Sequence, residues 1–403
     1  MDTISLHAPQ TLPNDRSVST VASKPLPFYI YAVVFASFSI TVGLIWDIAW
    51  HISIGRDGLF SPPHLATYLG AVTSGLFSGY YVLRLTFGGR KEERQSSIKF
   101  WKVFYGSLGA LFCIWGAFTM ITSAPFDDWW HNTFGLDVQI LSPPHTVLLL
   151  GMITIQFGAM VSVIALQNRL STGANYSPKA LAWCFMLSSG FLLVMLFTIA
   201  SEYLTRHDMH EPQFFQVGGI IFPLFLVAIS KASKSKWGAT QMALVYMGLM
   251  AAMVWILPLF PAEPKLGPVA NHITHYQAFH FPLLLVFPAL IIDWLNHRIQ
   301  VSGFGKGLLK TLALGAAFTV VFFVVQWYFG DFLTTEMAKS WVFGTTSWYF
   351  GNDPNYEFRY SFHPNNIATG ARLWQGMAWA LLWSVVSAGI GLIWGRWMTS
   401  VKR

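Results

Sequence analysis

Apolar blocks long enough to cross a bilayer recur from one end of the chain to the other, separated by short polar segments. They fall at about 28–50, 64–87, 100–123, 146–166, 180–200, 214–229, 238–259, 280–295, 308–329 and 373–397. A hydrocarbon core about 30 Å thick takes about 20 helical residues, so these blocks predict ten membrane helices, the sixth and eighth being short for the task. Residues 1–26 are polar, with Pro and Ser and no apolar core, and predict a disordered cytoplasmic tail in place of a signal peptide. The first helix then serves as the insertion signal. The expected fold class is an all-α, polytopic integral membrane helix bundle of about ten transmembrane helices with both termini cytoplasmic.

Composition agrees with this pattern. The chain is 54% apolar and 16% aromatic, and only 11% charged, against about 25% charged in an ordinary soluble domain. Its two cysteines, Cys113 and Cys184, lie inside apolar blocks, which argues against a disulfide scaffold and a cysteine-built metal site. The net charge of +7 reports topology and gives no reason to expect nucleic acid. With the N-terminus inside, 19 of the 25 basic residues fall on the inner side and 13 of the 18 acids on the outer, as the positive-inside rule requires. The histidines are sorted too: of 12, only His7 and His297 fall inside. Ionisable groups at membrane depth need partners, so this asymmetry predicts polar, metal-binding chemistry near the outer face.

The chemistry has a repeated form. The first hairpin reads Trp46-Asp47-Ile48-Ala49-Trp50-His51, then Arg56-Asp57, then Ser61-Pro62-Pro63-His64. The second reads Asp127-Asp128-Trp129-Trp130-His131, then Asp137, then Ser142-Pro143-Pro144-His145, and differs by one residue of loop. Residues four apart share a helix face, so Asp47 projects with His51 and Asp127 with His131. Ser61 and Ser142 are suitable N-caps, and proline is tolerated at a helix start. Each returning helix therefore carries His64 or His145 in its first turn. A hairpin of this kind converges one carboxylate and two imidazoles on one point and leaves coordination positions open. That ligand type suits Fe(II), Zn or Cu. Asp57 and Asp137 are candidates to orient a ligand imidazole or move protons, and Trp50 and Trp130 to pack beside the ligands.

The first motif, Asp-x-x-Trp-His with Arg-Asp, Phe60, Pro62 and His64, resembles the first metal motif in the C subunit of copper membrane monooxygenases, the particulate methane and ammonia monooxygenases. The second motif is similar to that subunit's second, including its longer gap, but has Asp127 where the family usually has Asn. The resemblance covers about 28–166. It implies copper at Asp47, His51 and His64 and again at Asp127, His131 and His145, with these six as the catalytic metal residues. It divides the chain into a C-subunit-like four-helix region, 27–178, and a second membrane region, 179–403. In the latter, Glu202-Tyr203-Leu204-Thr205-Arg206, the Leu266-Gly267-Pro268 to His280 stretch and a Tyr356/Arg359/His363 loop are weakly similar to the A subunit. His272, His275 and His280 are weaker metal candidates, and Glu202 and Arg206 are candidates for a supporting role or a plain interfacial ion pair.

The resulting expectation is a copper-dependent membrane monooxygenase, or a subunit of one, hydroxylating a small apolar or weakly polar substrate with O2; non-haem iron and zinc stay open as metals. An electron donor is required. The resemblance implies a cupredoxin-like partner subunit and a homo-oligomer in a plasma or inner membrane. The alternatives are a transition-metal-binding or metal-transport protein and, more weakly, a metal-dependent hydrolase.

Overall fold

A computed structural model describes residues 23–55, 57–135, 142–300 and 304–403, without the side chains of His131, Thr172 and Phe304. The long helices are α1 (Phe28–Ser53), α2 (Pro62–Gly88), α4 (Leu108–Phe134), α5 (Pro143–Arg169), α6 (Pro178–Ile199), α7 (Pro212–Ala232), α8 (Gly238–Ile256), α10 (Phe304–Leu333) and α11 (Gly370–Ser400). Between α2 and α4 lie a short α3 (Lys91–Gln95) and a two-stranded hairpin, β1 (Ile98–Phe100) with β2 (Phe104–Gly106), and α9 (Val286–Arg298) precedes α10. Among the described residues, eight helices are long and apolar enough to cross a membrane: α1, α4, α5, α6, α7, α8, α10 and α11. The chain is a membrane-embedded helix bundle. With 27 residues α2 is as long as its neighbours, but its Gly, Ser and Thr residues lower its hydropathy.

Two of the expected spans take a different form. The block at 100–123 does not begin as a helix, because β1 and β2 pair there with Phe100 opposite Phe104 around a turn at Trp101 and Lys102. The helix starts only at Leu108, after Ser107 accepts a hydrogen bond from the Ala110 N–H at 3.2 Å. It then runs through Pro125 to Phe134, so the second motif sits on its last turns. In the block at 280–295 only α9 is helical, and its 13 residues reach about 20 Å. Pro282 has no N–H and biases its predecessor towards extended backbone, which keeps the chain before α9 out of a helix. That backbone is satisfied by side chains: Gln277 N–H donates to Ser53 Oγ at 2.7 Å, Ala278 N–H to Ser347 Oγ at 2.9 Å and Leu283 N–H to Tyr246 Oη at 3.0 Å. Irregular backbone at membrane depth survives only with such protein partners.

Of the predicted disordered tail, residues 1–22 lie outside the described residues, but the end of the segment is ordered. Lys24 N–H donates to the Asn175 carbonyl at 2.7 Å, and Leu26 is buried in the core. The buried Leu26 and the bridge between Lys24 and Tyr176 dock these residues.

Two antiparallel hairpins, α1–α2 and α4–α5, pack through α2 and α4, while α6 joins them to the rest through α1, α5 and α8. Small residues allow the close approach. A Cβ on Gly116 would lie 2.7 Å from the Gly151 carbonyl oxygen, and one on Gly158 2.8 Å from that of Gly109. Between α1 and α5 the fully buried Gln156 donates to the Ser37 carbonyl at 2.9 Å and to Thr41 Oγ1 at 2.8 Å, a directional bond where lipid offers none. One hydrophobic cluster extends from Leu26 to Met398. The later loops also clasp the first hairpin, because Lys265 N–H donates to the Ile54 carbonyl at 2.8 Å and Phe350 N–H to that of Ile52 at 3.3 Å.

At the other end of the bundle, the buried Asp293 of α9 caps α8. Its carboxylate accepts from Ala239 N–H at 3.2 Å, Thr240 N–H at 2.9 Å and the Thr240 hydroxyl at 2.8 Å. Asp293→Ala leaves these donors without an acceptor and is expected to cost about 2–3 kcal/mol of stability, read as a lower unfolding midpoint of the purified protein. An unchanged midpoint would show that the cap contributes nothing.

Candidate metal centre

Asp47 and His51 leave the last turns of α1 on one face, and His64 rises from the first turn of α2. His64 Nε2 lies 3.3 Å from Asp47 Oδ1 and 3.1 Å from Asp57 Oδ2. His51 Nε2 lies 3.5 Å from Asp57 Oδ2 and 3.9 Å from Asp47 Oδ2. Asp47, Asp57 and His64 each offer a ligand atom within 4.8 Å of the others, and the two separations from His64, 3.3 and 3.1 Å, are those of atoms about 2 Å from one ion. Asp57, expected from the sequence to orient a ligand, is itself in ligand position. His51 is at the rim, its side chain 46% exposed against 19% for His64, so the cluster is open on one side.

The His64 ring states what it is built to face. Its Nδ1 lies 3.0 Å from the Gly58 carbonyl, and a carbonyl oxygen only accepts, so Nδ1 carries a proton. Nε2 then points at two carboxylates with a lone pair or a second proton. With the second proton the ring pairs with both carboxylates in the metal-free protein; with a lone pair it is repelled unless a cation lies between, and a backbone acceptor on the far nitrogen is the usual way to fix a metal-binding imidazole. The donor set of two carboxylates and two imidazoles fits a divalent transition metal.

Burial alone would raise the Asp57 carboxyl, but hydrogen bonds and charge from His51 and His64 override it and hold the group well below the ordinary carboxylate range. A carboxyl depressed in the folded state adds stability that is present above its unfolded value, about 4, and lost as pH falls through the folded one. Metal-free protein is therefore expected to lose stability on acidification below about pH 4–5, and Asp57→Asn to flatten that limb. Parallel acid limbs in the two proteins would contradict the assignment.

The second hairpin repeats half of this arrangement among the described residues. His145 Nε2 lies 3.3 Å from Asp127 Oδ1, and Ser142 caps α5 by accepting from the His145 N–H at 3.3 Å. Ser61 occupies the corresponding N-cap of α2, yet its hydroxyl makes no capping bond. Within α4, His131 follows Asp127 by one turn, but its side chain and all of Asp137 lie outside the described residues. Asp128 accepts from Asn132 Nδ2 at 3.2 Å. Of the flanking tryptophans, Trp50 packs against Tyr276 at 6.2 Å and Trp130 against Phe134 at 4.5 Å between centroids.

Sequence reading missed Tyr68. One turn beyond His64, its ring lies 6.0 Å from the His64 ring, and it feels the carboxylates of both hairpins, Asp47 and Asp57 on one side and Asp127 and Asp128 on the other. The two clusters are thus neighbours across α2. The signal was available as the i+4 position from the second histidine, but the second motif has Leu149 there, so the repeat did not mark it.

The weaker candidates are not gathered into such a cluster. Among the described residues the one group of three metal-ligating side chains is Asp47, Asp57 and His64. His272 and His275 are exposed, with His275 Nδ1 3.0 Å from the neighbouring Thr274 hydroxyl, while the ionisable groups acting on His280 are Arg206 and His207. No ion pair joins Glu202 to Arg206; Glu202 is exposed, and Arg206 donates to the Arg359 carbonyl at 3.1 Å. No family model matches the chain, and neither a curated protein nor a solved structure matches it.

Proposed function

We propose that the chain is a membrane-bound, metal-dependent monooxygenase or a subunit of one, with copper as its metal, acting on a small apolar or weakly polar substrate. The observation that carries the reading is His64, tied through Nδ1 to the Gly58 carbonyl and aimed through Nε2 at Asp47 and Asp57. Asp47, Asp57, His51 and His64 would hold the first ion, and Asp127, His145 and the His131 position the second. Copper is preferred to iron or zinc because the motif spacing resembles that of the copper membrane monooxygenases. When bound, the metal supplies the redox and oxygen chemistry.

The protein's own part is to orient and exclude. The α1–α2 hairpin fixes the ligands, the 260–285 and 345–363 segments cover its flank through Ile52, Ser53 and Ile54, and the exposed side of His51 leaves an approach. Ten crossings, with both termini cytoplasmic and the metal clusters at the outer face, accord with the sorting of charge. The eighth crossing would then combine the non-helical 276–285 segment with α9. Electrons must come from a donor outside the chain, a cupredoxin-like subunit being the expectation from the resemblance.

The test is metal analysis and spectroscopy on purified protein, followed by O2 uptake with reductant and small hydrocarbons or ammonia. Copper bound at the first cluster with substrate-dependent O2 uptake is the expected result. Copper bound without O2 uptake under any of these conditions would favour metal binding or transport, and absence of bound metal would overturn both readings.

A further inference from the structure

Away from the metal clusters, three segments bring two arginines and two histidines together. Arg206 and His207 lie in the turn after α6, His280 in the non-helical chain before α9, and Arg359 in the loop before α11. Arg206 Nη2 donates to the Arg359 carbonyl at 3.1 Å, and His207 Nε2 donates to the same oxygen at 3.2 Å. Beyond a 3.5 Å approach to His207, Arg206 makes no other hydrogen bond among the described residues. The Arg359 Nε is buried without a partner, although its other nitrogens donate to the Pro354 and Thr346 carbonyls.

Charge makes the arrangement more unusual. Among the described residues, the ionisable groups acting on Arg206 are Arg359 and the Tyr360 phenol, and those acting on His280 are Arg206 and His207, with no carboxylate in either set. Burial, and then the nearby Arg206, push His207 down to about 4, and burial pushes Arg206 down to about 10. Arg206 is half-buried; a partly desolvated guanidinium without a counter-charge is unfavourable, and the cost is relieved when an anion accepts its remaining N–H groups. A guanidinium fork matches the paired oxygens of a carboxylate, phosphate or sulfate.

We infer that Arg206, His280 and Arg359 form a binding site for a small oxyanion at the end of the bundle where α6 stops and α11 starts. Arg206 is the principal ligand, Arg359 adds its unpartnered Nε, and His280 offers its ring. His207 holds the Arg359 backbone in place. The site would bring together three segments that enter the bundle separately, so its ligand also ties the 345–363 loop to the end of α6. Its chemistry is shared by a free inorganic anion and by a lipid phosphate.

The purified full-length protein, washed free of bound lipid, is titrated with inorganic phosphate and with sulfate against chloride at equal ionic strength, following the thermal unfolding midpoint. A saturable rise with an oxyanion and none with chloride is expected, weakened by about tenfold in Arg206→Gln, as for loss of a charge-assisted hydrogen bond, with metal content unchanged. Without oxyanion, Arg206→Met should unfold no earlier than wild type, since the uncompensated charge is gone. Mass spectrometry of the unwashed protein distinguishes the sources: a stoichiometric phospholipid lost in Arg206→Gln identifies a lipid headgroup. Wild type that neither phosphate nor sulfate stabilises and that carries no stoichiometric phospholipid would overturn the site, as would equal stabilisation of wild type and Arg206→Gln. Should the variants not accumulate, the wild-type titration and lipid analysis decide alone.

Discussion

His64→Ala is expected to release the metal of the first centre, weakening its binding by more than about 100-fold, while leaving the protein folded. The lower bound follows from the 10- to 100-fold losses typical when only an outer partner of a ligand is removed. His64 is a direct ligand in the proposed set and the residue nearest both carboxylates, at 3.3 and 3.1 Å. Its removal also leaves two carboxylates facing each other across an empty space. His51→Ala should cost less, because that ring is further from both acids, at 3.9 and 3.5 Å, and half in solvent, where water can replace it. Asp57→Asn should fall between them, and would separate the four-ligand set from the three-ligand motif read in the sequence. Metal content per chain and the metal's spectrum decide the order. Full metal occupancy in His64→Ala, with the wild-type spectrum, would remove the first centre from the proposal.

The part of this centre that was legible in the sequence is the part set by helical periodicity. Asp47 and His51 are four apart on one helix, and Ser-Pro-Pro starts the next, so their convergence follows from spacing alone. The role of Asp57 was not legible, because it lies on the loop between helices, where no period fixes direction. Its carboxylate reaches both imidazoles only through the particular course of the loop at Asp57–Phe60. The same limit applies to the membrane spans. Hydropathy found α1, α5, α6, α7, α8, α10 and α11 close to their observed positions, since a buried or lipid-facing helix needs only an unbroken apolar run. It misjudged 100–106 and 280–285, the parts of its blocks that fall in stretches, 98–106 and 276–285, where apolar residues are held out of a helix. In the first case cross-strand pairing takes the backbone, and in the second Ser53, Ser347 and Tyr246 do, partners that no local window contains. His280 was grouped by sequence with His272 and His275, whereas its electrostatic neighbours come from the end of α6, more than seventy positions away.

Gly116→Leu should separate the two centres functionally. Gly116 is on α4 where that helix crosses α5, and a Cβ there would meet the Gly151 carbonyl oxygen at 2.7 Å, Ile155 Cγ1 at 2.7 Å and the Ile155 backbone nitrogen at 2.9 Å. Two of these are backbone atoms of a helix and cannot rotate away. A leucine must therefore push α4 from α5, and overpacking of this kind costs about 1–3 kcal/mol or more. The displaced helices carry Asp127 and His145, whose 3.3 Å approach depends on the distance between them. The α1–α2 hairpin has its own close contacts, including Gly70, where a Cβ would lie 2.8 Å from the Ala36 carbonyl oxygen, so its ligands should stay in register. The expected result is a lower unfolding midpoint, loss of metal at the second centre and retention at the first. Gly248→Ala, at a position with open space around its Cβ, should change none of these. Retained occupancy of the second centre in Gly116→Leu would mean that its ligands do not depend on the α4–α5 contact. Loss of both metals from a folded protein would instead mean that the hairpins, neighbours across Tyr68, form a single coupled site.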